Sequence, residues 1–530
     1  MKFIFKTLLL FILYSSITHC YKILIYNPRR AHSHVQYVGL IADVLQEAGH
    51  NVTVLQPIQL GAIKTVGSKK AKVIVINPIN ENSEALKLLN KFEDQIWTKE
   101  GGNTFKMISV FQSMHELLKA NCKQLISNIT LMDELRNENF DLAFAQNYAP
   151  CGFGIFELLN IKNIVSGSST GLNEAFFNLY GLEFPSSYIP SIMGSSGIPK
   201  GFIGRMKNVL SHLISKFAII SVLINKDQEA FDEVFGVGKI NLKKSMQNVA
   251  FHFVNANPLL DFPHPTMSKI IDVAGIGMPV SKSLDREYNN ILNLRPLNVL
   301  MSFGSIVKSK NIPPEVRESI LKTFAKFPNA TFIWKFEDDD ISFAKDYPNV
   351  ILKKWIPQVD LLNDKRIDLF ITHGGLNSAI ELSHKGVPAI FIPFFSDQKI
   401  NSYMIERYGC NIVMDKEDLR DSDEFTRHIG EILNNKRYKF NAEKLARMLR
   451  KYPHDAKNRL INAVEFAAEF GHVKEMDLPS LNMNFIEHYN IDIMIVMISF
   501  ILGLIFAFYK FGKWIVTKCI KKLDGKKKNE

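Results

Sequence analysis

The sequence predicts an α/β chain of two Rossmann-like domains followed by one C-terminal transmembrane helix, and three observations carry that reading. Apolar runs of strand length alternate with segments of helical period from Tyr21 to Leu55 and again from Leu297 to Asn401. At 530 residues the chain exceeds one ordinary core, so two domains are expected. The uncharged run Ile493 to Tyr509 is just long enough to cross a bilayer, with Lys510, Lys513 and Lys518 behind it.

Taken in order, Lys2 and Lys6 precede the apolar run Leu8 to Tyr14, and Thr18 and Cys20 supply small residues before a cut ahead of Tyr21. Residues 1–20 therefore read as a signal peptide. The fold opens with a strand, Tyr21 to Tyr26, a loop, Asn27 to His34, a helix, Val35 to Ala48, ended by Gly49-His50, and a strand, Val52 to Leu55. Ligands in such sheets sit at the strands' carboxyl ends, where that first loop lies. Gln56 to Met132 offers only apolar helical pieces around Ile96 to Leu118 and no interpretable chemistry. Phe140 to Ala145 is a further strand, followed by Gln146-Asn147 and a helix from near Cys151. Gly201 to Leu223 is apolar and basic enough for a membrane surface but reads first as an ordinary core helix. A boundary near Gly275 gives domains 21–275 and 276–470.

The second domain starts with a strand, Leu297 to Ser302, and a tight turn at Gly304-Ser305 whose amides suit a diphosphate. A helix from Pro314 to Phe327, with proline in its first turn, leads to strands Ala330 to Lys335 and Val350 to Lys353. Ile367 to Thr372 is a strand that breaks at His373-Gly374-Gly375 into the helical segment Leu376 to His384. The glycines admit a close ligand, Asn377 or Ser378 can cap the helix, and its free amides favour a phosphate. A second such unit follows, with Val387 to Ile392 as strand, Pro393 to Asp397 as loop and Gln398 to Tyr408 as helix. Helices Ser422 to Leu433, Lys436 to Lys451 and Ala456 to Phe470 precede a link, 471–490, the span, 491–509, and a Lys-rich tail, 510–530.

Of the formal charge of +11, the tail carries +6 and Lys2 and Lys6 carry +2, leaving +3 for the body, which removes the main support for a nucleic-acid partner. Lysine-rich flanks stay cytosolic, so the body is expected on the luminal or extracellular side. Once Cys20 leaves with the signal peptide and Cys519 lies beyond the span, Cys122, Cys151 and Cys410 remain, enough for at most one bridge and without the paired spacing of a zinc site. Sequons at Asn51, Asn128 and Asn329 fit that compartment.

The stretch Trp355 to Asn401 combines W-x-P-Q, LL, HGG-x-NS, E, G-x-P, P and DQ-x-x-N within 47 residues. This pattern resembles the signature of the UDP-glycosyltransferases, the family that includes the membrane-bound UDP-glucuronosyltransferases. Glycines that merely end strands would explain the turns, but not Trp355, Gln358, Glu381, Asp397 and Gln398. Pro185 to Pro190, Phe202 to Asn208 and Asp261 to Pro265 also resemble family segments. The final Lys527-Lys528-Asn529-Glu530 resembles a dilysine retrieval signal of endoplasmic-reticulum membrane proteins.

The resemblance implies a glycosyltransferase B fold and inverting transfer of a hexose, glucose or glucuronic acid, from a UDP-sugar co-substrate to a small lipophilic acceptor hydroxyl, with no metal or other cofactor. It implies that Trp355 stacks on uracil, that Gln358 and Glu381 hold the ribose, and that His373, Gly375, Asn377 and Ser378, with Ser305 opposite, bind the diphosphate. Asp397 and Gln398 would hold sugar hydroxyls, and His34 would be the general base. Two positions depart from the family. Gln146 stands where an Asp or Glu ordinarily orients the histidine, and an amide cannot neutralise an imidazolium. His264 stands where glucuronosyltransferases commonly carry Arg, which counts against glucuronate. These departures leave open a second reading, a weakly active or inactive UDP-sugar-binding membrane protein that partners active relatives, as a homo- or hetero-oligomer. A nucleotide-dependent oxidoreductase lacks its fingerprint, because Asn27 to His34 has no glycine.

Overall fold

The computed structural model describes residues 20–59, 63–77, 87, 95–98, 104–171, 173–194, 197–219, 223–276, 278 and 281–527. The expected signal-peptide core and the last three residues of the dilysine sequence lie outside them. The chain forms two compact units: Met1–Leu179 with Glu183–Met476, and Tyr180–Leu182 with Asp477–Glu530.

The first unit holds two wholly parallel sheets. The first contains β1 (Lys22–Tyr26), β2 (Asn51–Pro57), β3 (Lys72–Ile76), β4 (Leu142–Gln146), β5 (Ile164–Ser168), β6 (His252–Val254) and β7 (Ile270–Asp272), in the order 3-2-1-4-5-6-7. The second contains β8 (Leu297–Ser302), β9 (Ala330–Lys335), β10 (Val350–Lys353), β11 (Leu369–Thr372), β12 (Ala389–Phe391) and β13 (Asn411–Val413), in the order 10-9-8-11-12-13. Relative to its first strand each repeats the doubly wound order 3-2-1-4-5-6, which reverses direction between β1 and β4 and between β8 and β11. Those reversals leave crevices at the carboxyl ends of these strands, and both fall at sequence-predicted site residues.

The helices used below are α1 (His32–Glu47), α2 (Thr104–Ile126), α3 (Cys151–Leu158), α4 (Gly201–Ile219), α5 (Asn225–Phe235), α6 (Pro314–Ala325), α7 (Gln358–Asn363), α8 (Leu376–Lys385), α9 (Gln398–Glu406), α10 (Ala456–Phe470) and α11 (Ile491–Lys527). The central strands are near-continuous apolar runs because helices cover both faces, and Ile23, Leu24, Val52, Leu142, Val299, Leu369 and Ile371 are fully buried. Gly386, in the left-handed conformation at φ 72°, ends α8 and donates to the Leu382 carbonyl at 2.9 Å.

The two sheets exchange packing elements. Leu460, Val464 and Ala467 of α10 are buried in the core of the first sheet with Ile23, Val52 and Val165, although α10 lies within the span expected of the second domain. In return Trp97, from the first half of the chain, packs between Phe303 and Phe394 of the second core, with ring centroids 5.1 and 4.5 Å away. Its indole nitrogen donates to the Lys308 carbonyl at 3.0 Å. Burying a side chain of this size contributes about 3 kcal/mol, so this contact is a substantial clamp.

Cys122 on α2 and Cys151 at the start of α3 form a disulfide, the one bridge the cysteine count allowed, while Cys410 is free and buried. In the second unit, Ile491–Lys521 of α11 is long and apolar enough to cross a membrane. Two expectations are corrected. The helix predicted from Val35 begins three residues earlier, so His34 sits in its first turn and not in the loop. The helix predicted over Gly201 to Leu223 is not a core helix: Asn208 and Ser215 face inward while its large apolar side chains face outward.

Candidate active site

The residues predicted to hold the donor gather at the end of β11. The strand stops at Thr372, and the His373 ring lies between two glycines. A Cβ on Gly304 would stand 2.6 Å from its Cε1, and one on Gly375 would stand 2.7 Å from its Nε2. Contacts that short cannot be accommodated without displacing the ring, so both glycines are required by the histidine between them. Gly374, at φ 83°, completes the turn. Burial, and then the nearby Lys335 ammonium, lower the His373 pKa to about 4, so the ring is neutral at pH 7. Its Nδ1 is buried without a hydrogen-bond partner among the described residues.

Neither Asn377 nor Ser378 caps α8, contrary to expectation. The N-cap is Gly375, with no side-chain cap bond. The two side chains are drawn sideways instead: Ser378 Oγ accepts from Gln358 Nε2 at 3.1 Å, and Asn377 Oδ1 accepts from Asn255 Nδ2 at 3.4 Å. The first-turn amides of α8 have no side-chain cap competing for them, which suits an anion. Gln358 Nε2 also donates to Glu381 Oε2 at 2.7 Å, joining α7 to α8. Burial raises the Glu381 pKa to about 7, against the opposing pull of Gln358 and Lys385.

Trp355 is 70% exposed while its carbonyl accepts from the Tyr288 hydroxyl at 3.1 Å, so the backbone is fixed and the ring face is available. Ser305 is exposed in the turn after β8. Asp397 and Gln398 stand at the start of α9. Asp397 Oδ2 accepts from Asn401 Nδ2 at 2.8 Å, and the same amide nitrogen donates to the Gly374 carbonyl at 3.0 Å, tying this loop to the HGG turn. Gln398 Oε1 accepts from the amides of Phe394 and Phe395 at 2.8 and 3.3 Å, so its oxygen shapes the loop.

A second group of sequence-predicted site residues lies between β1 and β4. His34 Nδ1 is 2.9 Å from Ser169 Oγ. Gln146 ends β4 as expected; its Nε2 reaches the His34 carbonyl at 3.5 Å, and its amide also acts on the imidazole by a side-chain hydrogen bond that raises the ring's pKa. Asp141 lies just before the opposite end of β4, where it accepts from the Lys22 amide at 2.7 Å. Burial and then the Arg30 guanidinium lower the His34 pKa, the Gln146 amide partly opposes both, and the result is a pKa of about 4. The buried carboxylate near Arg30 comes from Asp227 on α5, which accepts from the Cys151 amide at 2.9 Å. Burial raises its pKa to about 6 against the pull of Arg30.

Asn255, just after β6, joins the halves. Its Nδ2 donates to the Ser169 carbonyl at 3.0 Å and to Asn377 Oδ1. A chain of short polar contacts thus runs from the His34 imidazole to the first turn of α8. Beside it opens a cleft lined by Phe177, Phe184, Phe262 and His264 on one side and Ile380 and Asp397 on the other. Burial alone would lower the His264 pKa, but Asp261, 3.7 Å away, raises it above the ordinary value.

Read from residue 22 to residue 528, the chain matches the family described as UDP-glucoronosyl and UDP-glucosyl transferase. It belongs to that family. Among similar proteins, Caenorhabditis elegans "Putative UDP-glucuronosyltransferase ugt-48" is 30% identical over 93% of this chain and 94% of its own, and "Putative UDP-glucuronosyltransferase ugt-46" from the same organism is 29% identical over 93% and 94%. Among solved structures, the glycotransferase of kitacinnamycin has TM-score 0.57 at 16% identity, covering 85% of this chain and 99% of that one. The glycosyltransferase VinC in complex with DTDP has TM-score 0.55 at 14% identity, with 85% and 100% covered. The two sheets are therefore those of a glycosyltransferase B fold, and the chain is a glycosyltransferase with a UDP-sugar donor.

Sequence reasoning missed three residues of this UDP-glycosyltransferase site. Lys335 ends β9, donates to the Gly304 carbonyl at 2.6 Å and lies 6.0 Å from the Trp355 ring centroid, so a cation stands between the Trp355 ring and the turn after β8. A lysine closing an otherwise apolar buried strand was its only signal. Ser169 and Asn255 gave none, since each follows a strand and acquires its partner only from the fold.

Proposed function

We propose that the protein transfers a hexose, glucose or glucuronic acid, from UDP to the hydroxyl of a small lipophilic acceptor with inversion, using His34 as general base. The observation that carries this reading is the polar chain from His34 through Ser169 and Asn255 to Asn377, which brings the base beside the donor elements. With Nδ1–H donating to Ser169 Oγ, His34 Nε2 keeps a free lone pair. The acceptor oxygen attacks the anomeric carbon opposite the leaving group, its proton passes to Nε2, and the C–O bond to UDP breaks with both electrons going to the departing phosphate oxygen. His373, Gly375, Asn377, Ser378 and the α8 amides, with Ser305 opposite, meet that growing charge. Trp355 stacks on uracil, Gln358 and Glu381 hold the ribose, Asp397 and Gln398 hold sugar hydroxyls, and the Phe-lined cleft receives the acceptor. Acceptor and donor functions are assigned to residues 21–275 and 276–470, anchored by a single span in the endoplasmic-reticulum membrane with the body luminal.

His34→Ala should abolish transfer from labelled UDP-sugar to a phenol panel while UDP affinity stays near wild type. Normal turnover in that variant would remove the base assignment. The second reading, a UDP-sugar-binding partner subunit, is favoured by Gln146, and the wild-type protein binding donor without transferring would support it.

A further inference from the structure

The turn from Gln95 to Thr98 is built to hold one side chain. Thr98 donates twice to the Gln95 carbonyl, from its amide at 2.9 Å and from its hydroxyl at 2.8 Å, which closes the turn. Lys416, in the short helix Lys416–Arg420 after β13, donates to the carbonyls flanking Trp97, that of Ile96 at 2.8 Å and that of Thr98 at 2.7 Å. A partly buried ammonium needs acceptors of this kind, so the lysine and the turn hold each other. With the indole nitrogen on the Lys308 carbonyl, both the backbone and the ring of Trp97 are fixed to the second sheet's half of the chain.

The two rings that receive it are the roots of two loops. Phe303 follows the last residue of β8 and directly precedes Gly304-Ser305, and Gly304 lies so close to His373 that a Cβ on it would stand 2.6 Å from the ring. A shift of Phe303 is therefore passed to the turn, since close-packed groups have no slack to absorb it. Phe394 lies between β12 and α9, and its amide donates to Gln398 Oε1 at 2.8 Å, which braces the loop that carries Asp397. The Phe303 and Phe394 rings stand 5.6 Å apart at 83°, and Trp97 meets them at 85° and 73°. Edge-to-face packing favours one arrangement of the three rings. One wedge thus supports both loops, and it comes from the half of the chain that carries His34. We propose that Trp97 is a positioning residue for the sugar donor, which acts through Phe303 and Phe394 to place the Gly304-Ser305 turn and the loop of Asp397 and Gln398. This rests on the reading of those two loops as the diphosphate and sugar sites.

The test is calorimetric binding of UDP, UDP-glucose and UDP-glucuronate to the full chain in detergent. The variants are Trp97→Leu, Trp97→Phe and Lys416→Met, with Phe425→Leu as a control buried in the same core against Phe324 of α6. Trp97→Leu should weaken the ligand that the wild type binds best by at least about fivefold, what one lost hydrogen bond to a ligand costs. Trp97→Phe keeps a ring against Phe303 and Phe394 and should recover most of that affinity. Phe425→Leu should reduce stability and the bound fraction but leave Kd within about twofold, as for a site with no shared partners. The double variant with Phe394→Leu should be no weaker than the worse single one, because both act through one contact. In transfer assays with a phenol acceptor, Trp97→Leu should raise KM for the UDP-sugar and leave KM for the phenol unchanged, whereas a simple loss of folded enzyme lowers kcat alone. An unchanged Kd in folded Trp97→Leu, or an equal loss in Phe425→Leu, would overturn the inference. Lys416→Met leaves the ring in place and should also weaken binding; it decides the matter should Trp97→Leu not fold, and unchanged affinity there would count against the wedge. Ser305→Ala and Asp397→Ala separate the two levels of the reading. If they weaken binding and Trp97→Leu does not, the positioning role alone fails; if they bind as the wild type does, the loops are not the donor site and both readings fall.

Discussion

Ser169→Ala tests the acceptor half most directly. The variant removes one contact, the 2.9 Å bond between Ser169 Oγ and His34 Nδ1, and leaves the Ser169 backbone carbonyl to hold Asn255. A neutral hydrogen bond of this kind has a net value of about 0.5–1.5 kcal/mol, which corresponds to a fall in kcat/KM of about 2- to 13-fold. Deleting the base itself should cost about 10²- to 10⁴-fold. The bond from Nδ1–H strengthens when the ring is charged, so it supports the imidazolium that forms as the acceptor loses its proton. Removing it should lower an already depressed pKa. In the wild type, transfer should be level from neutral pH down and fall as pH drops through about 4, where His34 protonates. In Ser169→Ala the plateau should be lower and the acid limb should move to still lower pH, and Ser169→Thr, which keeps an Oγ, should recover most of the rate. The assay is initial-rate UDP release against pH at saturating donor, with UDP affinity measured in parallel. An unchanged rate and pH profile would refute the positioning role of Ser169. Loss of UDP affinity would show instead that the variant disturbs the Asn255 link.

Three further outcomes follow from the same geometry. The raised Glu381 pKa of about 7 means that the carboxylate proposed to accept from the ribose is lost as pH falls through 7. UDP affinity should therefore weaken below pH 7 by up to about tenfold per unit, and Glu381→Gln should remove that dependence; calorimetric titration at several pH values measures both. Trp355→Ala should weaken UDP binding by about 1–3 kcal/mol, the value of one base stacked on an aromatic ring, and should eliminate most ligand-induced quenching of tryptophan fluorescence. Replacing Cys122 and Cys151 by serine opens a loop of 29 residues and should destabilise the fold by about 3–4 kcal/mol, read as a fall in thermal midpoint.

Much of the donor half was legible in the sequence because it is local. His373, Gly375, Asn377, Ser378 and Glu381 fall within nine residues of one strand-turn-helix unit, and the packing of His373 between Gly304 and Gly375 explains why glycines are needed there. Periodicity likewise showed β1, β2, β4 and β8 to β12, whose apolar runs are long and buried, but not β3, β5, β6, β7 or β13, which are short, carry polar residues or lie partly exposed toward the sheet edges. The start of α1 was misjudged because no side chain caps it: Ala31 is the N-cap. The inward or outward sense of α4 was illegible for a related reason. An apolar stripe of helical period records that one face is greasy, not which face meets the protein.

By itself, then, the sequence determined the two β-α-β halves, the glycine-bounded turn after Thr372 and the membrane-length helix. These rest on interactions within a few residues of each other. Only the tertiary structure decided what partners His34. A carboxylate was sought at position 146, one strand away, where Gln146 acts on the ring, but the ring's Nδ1 bonds to Ser169 at the end of another strand, 135 residues along the chain. The exchange of α10 and Trp97 between the two cores, and the Asn255–Asn377 bond across them, were equally out of reach. Such contacts depend on strand order, and a residue's own neighbourhood in the sequence carries no record of which strand will lie beside it.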